Sequence, residues 1–169
     1  MAQILGFPNP VNELAARSVA AGVVLLGVTT LALSLAAGSG WLWLTVVLAY
    51  GFVARVLAGP TLSPLGQFAT RVVAPRLGPA KLVPGPPKRF AQAVGAALTV
   101  AAVLLHFGFG ADGAAQVLVA CLIGAATLES VFGLCLGCTA FGYLMKVGLV
   151  PAETCAACAD LSLRAPQPI

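Results

Sequence analysis

The sequence predicts an all-α integral membrane protein: a four-helix bundle with a short cytoplasmic interfacial helix and a cysteine-rich C-terminal tail. Three observations carry this. Hydrophobic residues make up 60% of the 169-residue chain and charged residues 8%, with a mean hydropathy of +1.01, a balance outside that of soluble domains. Four apolar stretches each approach the roughly 20 helical residues that an apolar core of about 30 Å requires. All nine Lys and Arg residues sort to one end of those stretches.

The first stretch runs from about residue 17 to 37 and the second from 41 to 58, with only Gly38-Ser39-Gly40 between them, so the two form a tight antiparallel hairpin. A loop over 59–89 leads to the third stretch, 90–110. After Ala111-Asp112-Gly113 the fourth covers 114–136, and its helical character continues to about Lys146. At ~1.5 Å per residue that is longer than a membrane needs, so its end is expected to project or to bend at Gly133, Gly137 or Gly142. The whole chain, 1–169, reads as one membrane domain whose final segment, 135–169, carries the cysteines.

The polar stretches have start signals of their own. In Phe7-Pro8-Asn9-Pro10-Val11-Asn12-Glu13, Asn9 suits a helix N-cap, Pro10 the first helical position, and Glu13 the positive end of the helix dipole. The absence of a basic n-region makes the first stretch read as a retained helix. Ser63-Pro64 repeats the start signal, and Leu65, Phe68, Ala69, Val72 and Val73 follow at helical spacing beside Arg71 and Arg76. This predicts a short helix on the cytoplasmic leaflet, held by anionic lipid. The proline-broken tract through Pro87 offers no element for nucleic acid.

Orientation follows from charge. With both short hairpin loops outside, Arg17, Arg55, Arg71, Arg76, Lys81, Lys88, Arg89, Lys146 and Arg164 all fall on the other side, and Asp112 is the lone outer charge. The positive-inside rule then puts both termini and the long loop in the cytoplasm, with Trp41 and Trp43 in an outer aromatic belt.

Cys135, Cys138, Cys155 and Cys158 form C-L-G-C and C-A-A-C, two pairs separated by sixteen residues. Such spacing suits either two redox-active dithiols or a tetrathiolate zinc knuckle. Cys135 and Cys138 fall one helical turn apart near the inner end of the fourth helix, whereas the other pair follows Pro151 in a tail able to fold back. A reducing cytoplasm disfavours permanent disulfides and leaves catalytic thiols, a transient disulfide or metal.

F-P-N-P-V-N-E, the central S-P-L-G, P-P-K-R-F, and the C-L-G-C followed by C-A-A-C together resemble the domain-of-unknown-function family numbered 4395, small bacterial membrane proteins without an established activity. The resemblance implies an integral membrane protein in which Cys135, Cys138, Cys155 and Cys158 match the family's cysteine pattern; the spans and charges add the expectation of a multi-pass protein of the bacterial inner membrane. The resemblance also associates the chain with thioredoxin-like or rhodanese-type proteins as partners, and so with thiol or sulfur chemistry.

Two further charged residues stand inside the apolar stretches. Arg55 lies fourteen residues beyond Trp41 and Glu129 fifteen beyond Ala114, which sets both about 21–23 Å deep and makes them an expected ion pair. His106 has no second ligand at useful spacing and reads as a hydrogen-bonding residue, and Cys121 as a buried small side chain. No phosphate-cradling glycine loop, serine–histidine–acid set or carboxylate pair occurs, which removes hydrolase and kinase chemistry.

The leading expectation is therefore thiol–disulfide exchange or sulfur relay, with Cys155 and Cys158 exchanging against the helix-anchored Cys135 and Cys138. Whether that makes the chain an enzyme is open at this stage. The alternative is an accessory or scaffolding subunit of a larger membrane complex in which the four cysteines hold structural zinc.

Overall fold

The computed structural model describes residues 7–151 and Thr154. Four helical spans are long and apolar enough to cross a membrane, compatible with a multi-pass membrane protein: Glu13–Ala36, Ser39–Ala58, Gly85–Phe109 and Asp112–Phe132. A two-residue strand β1 (Val11–Asn12) leads into α1 (Glu13–Ala36), a 3-10 turn (Ser39–Trp43) and α2 (Leu44–Ala58). An irregular helical path follows, made of α3 (Pro64–Phe68), a π-helical stretch (Ala69–Val73) and α4 (Ala74–Leu77). Then come β2 (Leu82–Val83), α5 (Gly85–Phe109), α6 (Asp112–Thr127), a π-helical turn (Leu128–Phe132) and α7 (Leu136–Lys146).

α5 packs along α2, α6 and α7, while α1 packs along α6. Two apolar clusters fill the bundle. One joins Val19, Val23, Leu48, Phe52, Leu122 and Ala126; the other, nearer the hairpin loops, joins Leu42, Ala102, Ala115 and Val119. Close approach requires glycine at Gly95, where the Phe52 ring occupies the space of a Cβ. Large apolar side chains such as Leu25, Tyr50, Leu104 and Val117 face outward, as expected where lipid is the solvent.

The structure corrects the start of α1. Asn12, rather than Asn9, is the N-cap, its side chain accepting from Leu14 N–H at 3.0 Å. The reason is that Val11 and Asn12 pair antiparallel with Val83 and Leu82, which keeps the chain extended up to Glu13. Asn9 instead accepts from Gly85 N–H at 3.0 Å, tying the N-terminal segment to the start of α5. Glu13 meets Lys81 at 2.8 Å across the same junction.

α5 begins at Gly85, earlier than the expected residue 90, because Pro86 and Pro87 fit its first turn. Lys88 and Arg89 consequently belong to the helix. The path over 64–77 starts as expected, with Ser63 capping Gly66 N–H at 3.2 Å. Pro75 then lacks the N–H that Arg71 C=O would take, which accounts for the widened π stretch just before it. Ala69, at 1% exposure, joins the cluster formed by α1 and α2, and Leu65 lies over Gly22. The segment is thus packed onto the bundle along one face, with Phe68 and Leu77 exposed.

The fourth span bends at Gly133, the first of the three glycines expected to permit it. Gly133 adopts a left-handed φ of 70°, its N–H bonds Glu129 C=O at 3.1 Å, and Leu134 N–H reaches Leu128 C=O at 3.0 Å. A bend here makes α7 a separate helix that folds back along α5. Gly137 admits that contact, since a Cβ there would stand 2.6 Å from Ala91 Cα, and Phe141 meets Phe90 at 5.7 Å between ring centroids.

Candidate functional site

α1 and α5 start, and α2 and α6 end, at the same end of the bundle. Exposed helix carbonyls therefore gather there, and basic residues from the two starting helices cover them. Arg17 on α1 donates to Ser130 C=O at 3.1–3.2 Å and to Val131 C=O at 2.8 Å. Arg89 on α5 donates to Val56 C=O at 3.1 Å. Both guanidinium groups offset the negative ends of neighbouring helices. Part of the charge asymmetry seen in the sequence is thus structural.

The buried charges at this end correct one expectation. Glu129, in the π-helical turn, pairs with Lys88 at 2.7 Å, the two side chains being 14% and 9% exposed. Arg55 was expected to fill that role. It is within electrostatic reach of Glu129, but it donates through Nε to Gln92 Oε1 at 2.7 Å and through Nη1 to Ser63 Oγ at 3.2 Å. Its guanidinium also lies 4.5 Å from the centroid of the Phe52 ring. The difference arises at the start of α5: because the helix begins at Gly85, Lys88 sits in its first turn and reaches Glu129 instead of lying in the preceding loop. Ser63, expected only as a helix start, caps Gly66 and also accepts from Arg55, and Gln92, one helical turn from Lys88, carried no signal in the sequence.

The placement of the first cysteine pair also departs from expectation, although a bond within the pair is among the expected outcomes. Cys135 and Cys138 form a disulfide, and they sit at the start of α7 rather than on the end of the fourth span. Cys135 is the N-cap of α7: extended at φ −87° and ψ 101°, its sulfur accepts from Cys138 N–H at 3.2 Å. Cys135 is 8% exposed, and Cys138 is half-buried. Cys155 and Cys158 lie outside the described residues. Among the described residues no three His, Cys, Asp or Glu side chains gather as metal ligands. Cys121 is free and exposed on the outer face of α6, not buried.

Two clefts open beside these groups. One of about 370 Å³ is bounded by Phe90 and Arg89 of α5, Phe141 of α7, and Thr154. The other, about 280 Å³, is lined by Arg55, Lys88, Gln92, Asn12 and Thr70. Phe7 and Pro8 border both. At the opposite end, His106 Nδ1 meets Asp112 Oδ1 at 2.6 Å, joining the last turn of α5 to the first of α6.

A family model matches residues 11–146, the domain of unknown function DUF4395. The chain belongs to this family. No curated protein and no solved structure matches it. The matched region of this DUF4395 member includes the Lys88–Glu129 pair, the Arg55 cluster and the C-L-G-C pair, and it ends before the C-A-A-C pair.

Proposed function

We propose that this DUF4395 protein performs thiol–disulfide exchange at the basic end of a bacterial inner-membrane bundle, with both termini cytoplasmic. The observation that carries the reading is the position of the Cys135–Cys138 disulfide at the N-terminus of α7. A helix N-terminus and a backbone N–H favour sulfur carrying negative charge. Here the N–H of Cys138 points at the sulfur of Cys135.

That geometry gives the two sulfurs different roles. A partner thiolate attacks the sulfur of Cys138, the more accessible of the pair. The Cys135–Cys138 bond breaks and Cys135 leaves as a thiolate held at the helix N-terminus. A second thiolate of the partner then attacks the partner's own sulfur in the mixed disulfide and displaces Cys138. The partner dithiol is oxidised to a disulfide, and Cys135 and Cys138 are reduced. The partner dithiol is either Cys155 and Cys158 of the same chain or a soluble protein of thioredoxin or rhodanese type.

Incubating the oxidised full chain with a reduced dithiol protein tests this. Two thiols per chain should appear at Cys135 and Cys138, matched by oxidation of the donor and absent when all four cysteines are serine. An inert disulfide would overturn the reading. So would about one zinc per chain, lost together with stability on each single cysteine substitution, which is the outcome for a zinc-bound scaffolding subunit.

A further inference from the structure

We infer that the cleft of about 280 Å³ beside Arg55 is a binding site for a small oxyanion. This is independent of the exchange chemistry. Arg55 is 5% exposed and Lys88 7%, and both line the cleft. The Lys88–Glu129 contact neutralises one cation. Among the described residues no carboxylate lies within ion-pair distance of Arg55, whose hydrogen bonds engage neutral Gln92 and Ser63. Two buried cations and one carboxylate leave a net charge of +1 in a poorly solvated site, which is costly unless a mobile anion completes it.

The donors suit an oxyanion better than a halide. With Nε on Gln92 and one Nη1 N–H on Ser63, the Arg55 guanidinium keeps three N–H donors on its Nη nitrogens, whose planar arrangement suits the oxygens of a carboxylate, sulfate or phosphate. Gln92 gives its carbonyl oxygen to Arg55, so its amide N–H groups remain as donors. The cleft is bordered by Pro8, Pro10 and Leu82, in the segments that precede α1 and α5. The oxyanion therefore enters from the basic end, either as a free ion or as the phosphate of an anionic lipid headgroup.

The test uses delipidated full chain in neutral detergent, with the unfolding temperature followed against sodium sulfate and against sodium chloride at matched ionic strength. Sulfate should give a saturable rise that chloride does not; non-specific exclusion gives an unsaturating rise. Gln92→Glu places a carboxylate on Arg55, so this variant should be more stable than the unsubstituted protein without salt and should lose the saturable rise. Arg55→Gln should lose it as well. In parallel, nanodiscs of phosphatidylglycerol and of phosphatidylcholine distinguish the sources. A saturable phosphatidylglycerol effect without a sulfate effect assigns the site to a lipid phosphate, and a sulfate effect assigns it to a free ion. No saturable effect of either, or a saturable effect that persists in Gln92→Glu, overturns the site.

Discussion

At the hairpin end of the bundle the chain reverses at two short turns, and His106 Nδ1 meets Asp112 Oδ1 at 2.6 Å between helices already joined by one of them. At the basic end, 41 residues of sequence separate Lys88 from Glu129 and 113 separate Arg17 from Ser130. The comparison separates two uses of polarity. A local pair trims a turn that the hairpin already dictates, whereas the long-range contacts decide how α1, α5 and α6 meet and where α7 begins. Chemistry that needs fixed geometry belongs at the second end.

The largest expected effect breaks the basic end directly. Glu129→Gln strands Lys88 and Arg55 without a counter-charge and should cost about 3–5 kcal/mol, the range for breaking a buried ion pair. Lys88→Met should cost less than half as much, because Arg55 remains within reach to balance Glu129. Reversible unfolding in mixed micelles reads both, and equal costs would show that Arg55 does not share the carboxylate.

Gly137→Ala comes next. A methyl group 2.6 Å from Ala91 Cα forces α7 off α5, at about 1–3 kcal/mol for overpacking. The same variant should slow reduction of the Cys135–Cys138 disulfide, since it moves the helix that holds it; an unchanged rate would detach the cysteine pair from the α5 contact. Removing the N-cap with Asn12→Ala should cost about 1 kcal/mol. The smallest effect is expected from His106→Ala at the hairpin end, a minor change in unfolding temperature with exchange rates unaltered. Loss of exchange there would erase the contrast between the two ends.

The existence and order of the four spans were legible in the sequence because helices that face lipid carry long apolar runs, whereas their polar first turns, as at Glu13 and Gly85, were not. A bend was legible as one of two outcomes at any of three glycines, and the left-handed φ of 70° at Gly133 is what selects among Gly133, Gly137 and Gly142. The partners at the basic end were not legible. Asn9 and Asn12 carry the same N-cap signal, and the choice between them is made by a strand pair with Val83, 72 positions away from Val11. Depth arithmetic placed Arg55 level with Glu129 but could not rotate either helix, and the early start of α5 supplied a nearer lysine. The N-cap role of Cys135 also required the bend to exist first. Cys121 was misread because a membrane helix inverts the usual rule, leaving small apolar side chains free to face outward.

Mixed-disulfide trapping on the full chain, with Cys121, Cys155 and Cys158 replaced by serine, tests the exchange chemistry most directly. With glutathione disulfide as the oxidant, Cys135→Ser should accumulate a stable glutathione adduct on Cys138, because the resolving sulfur is gone. Cys138→Ser should form its adduct several-fold more slowly, since Cys135 is 8% exposed. The chain retaining both cysteines should resolve to the internal disulfide with no lasting adduct. Equal adduct rates in the two single variants, or a lasting adduct in the chain that keeps both cysteines, would contradict the assignment of Cys138 as the attacked sulfur and Cys135 as the leaving one.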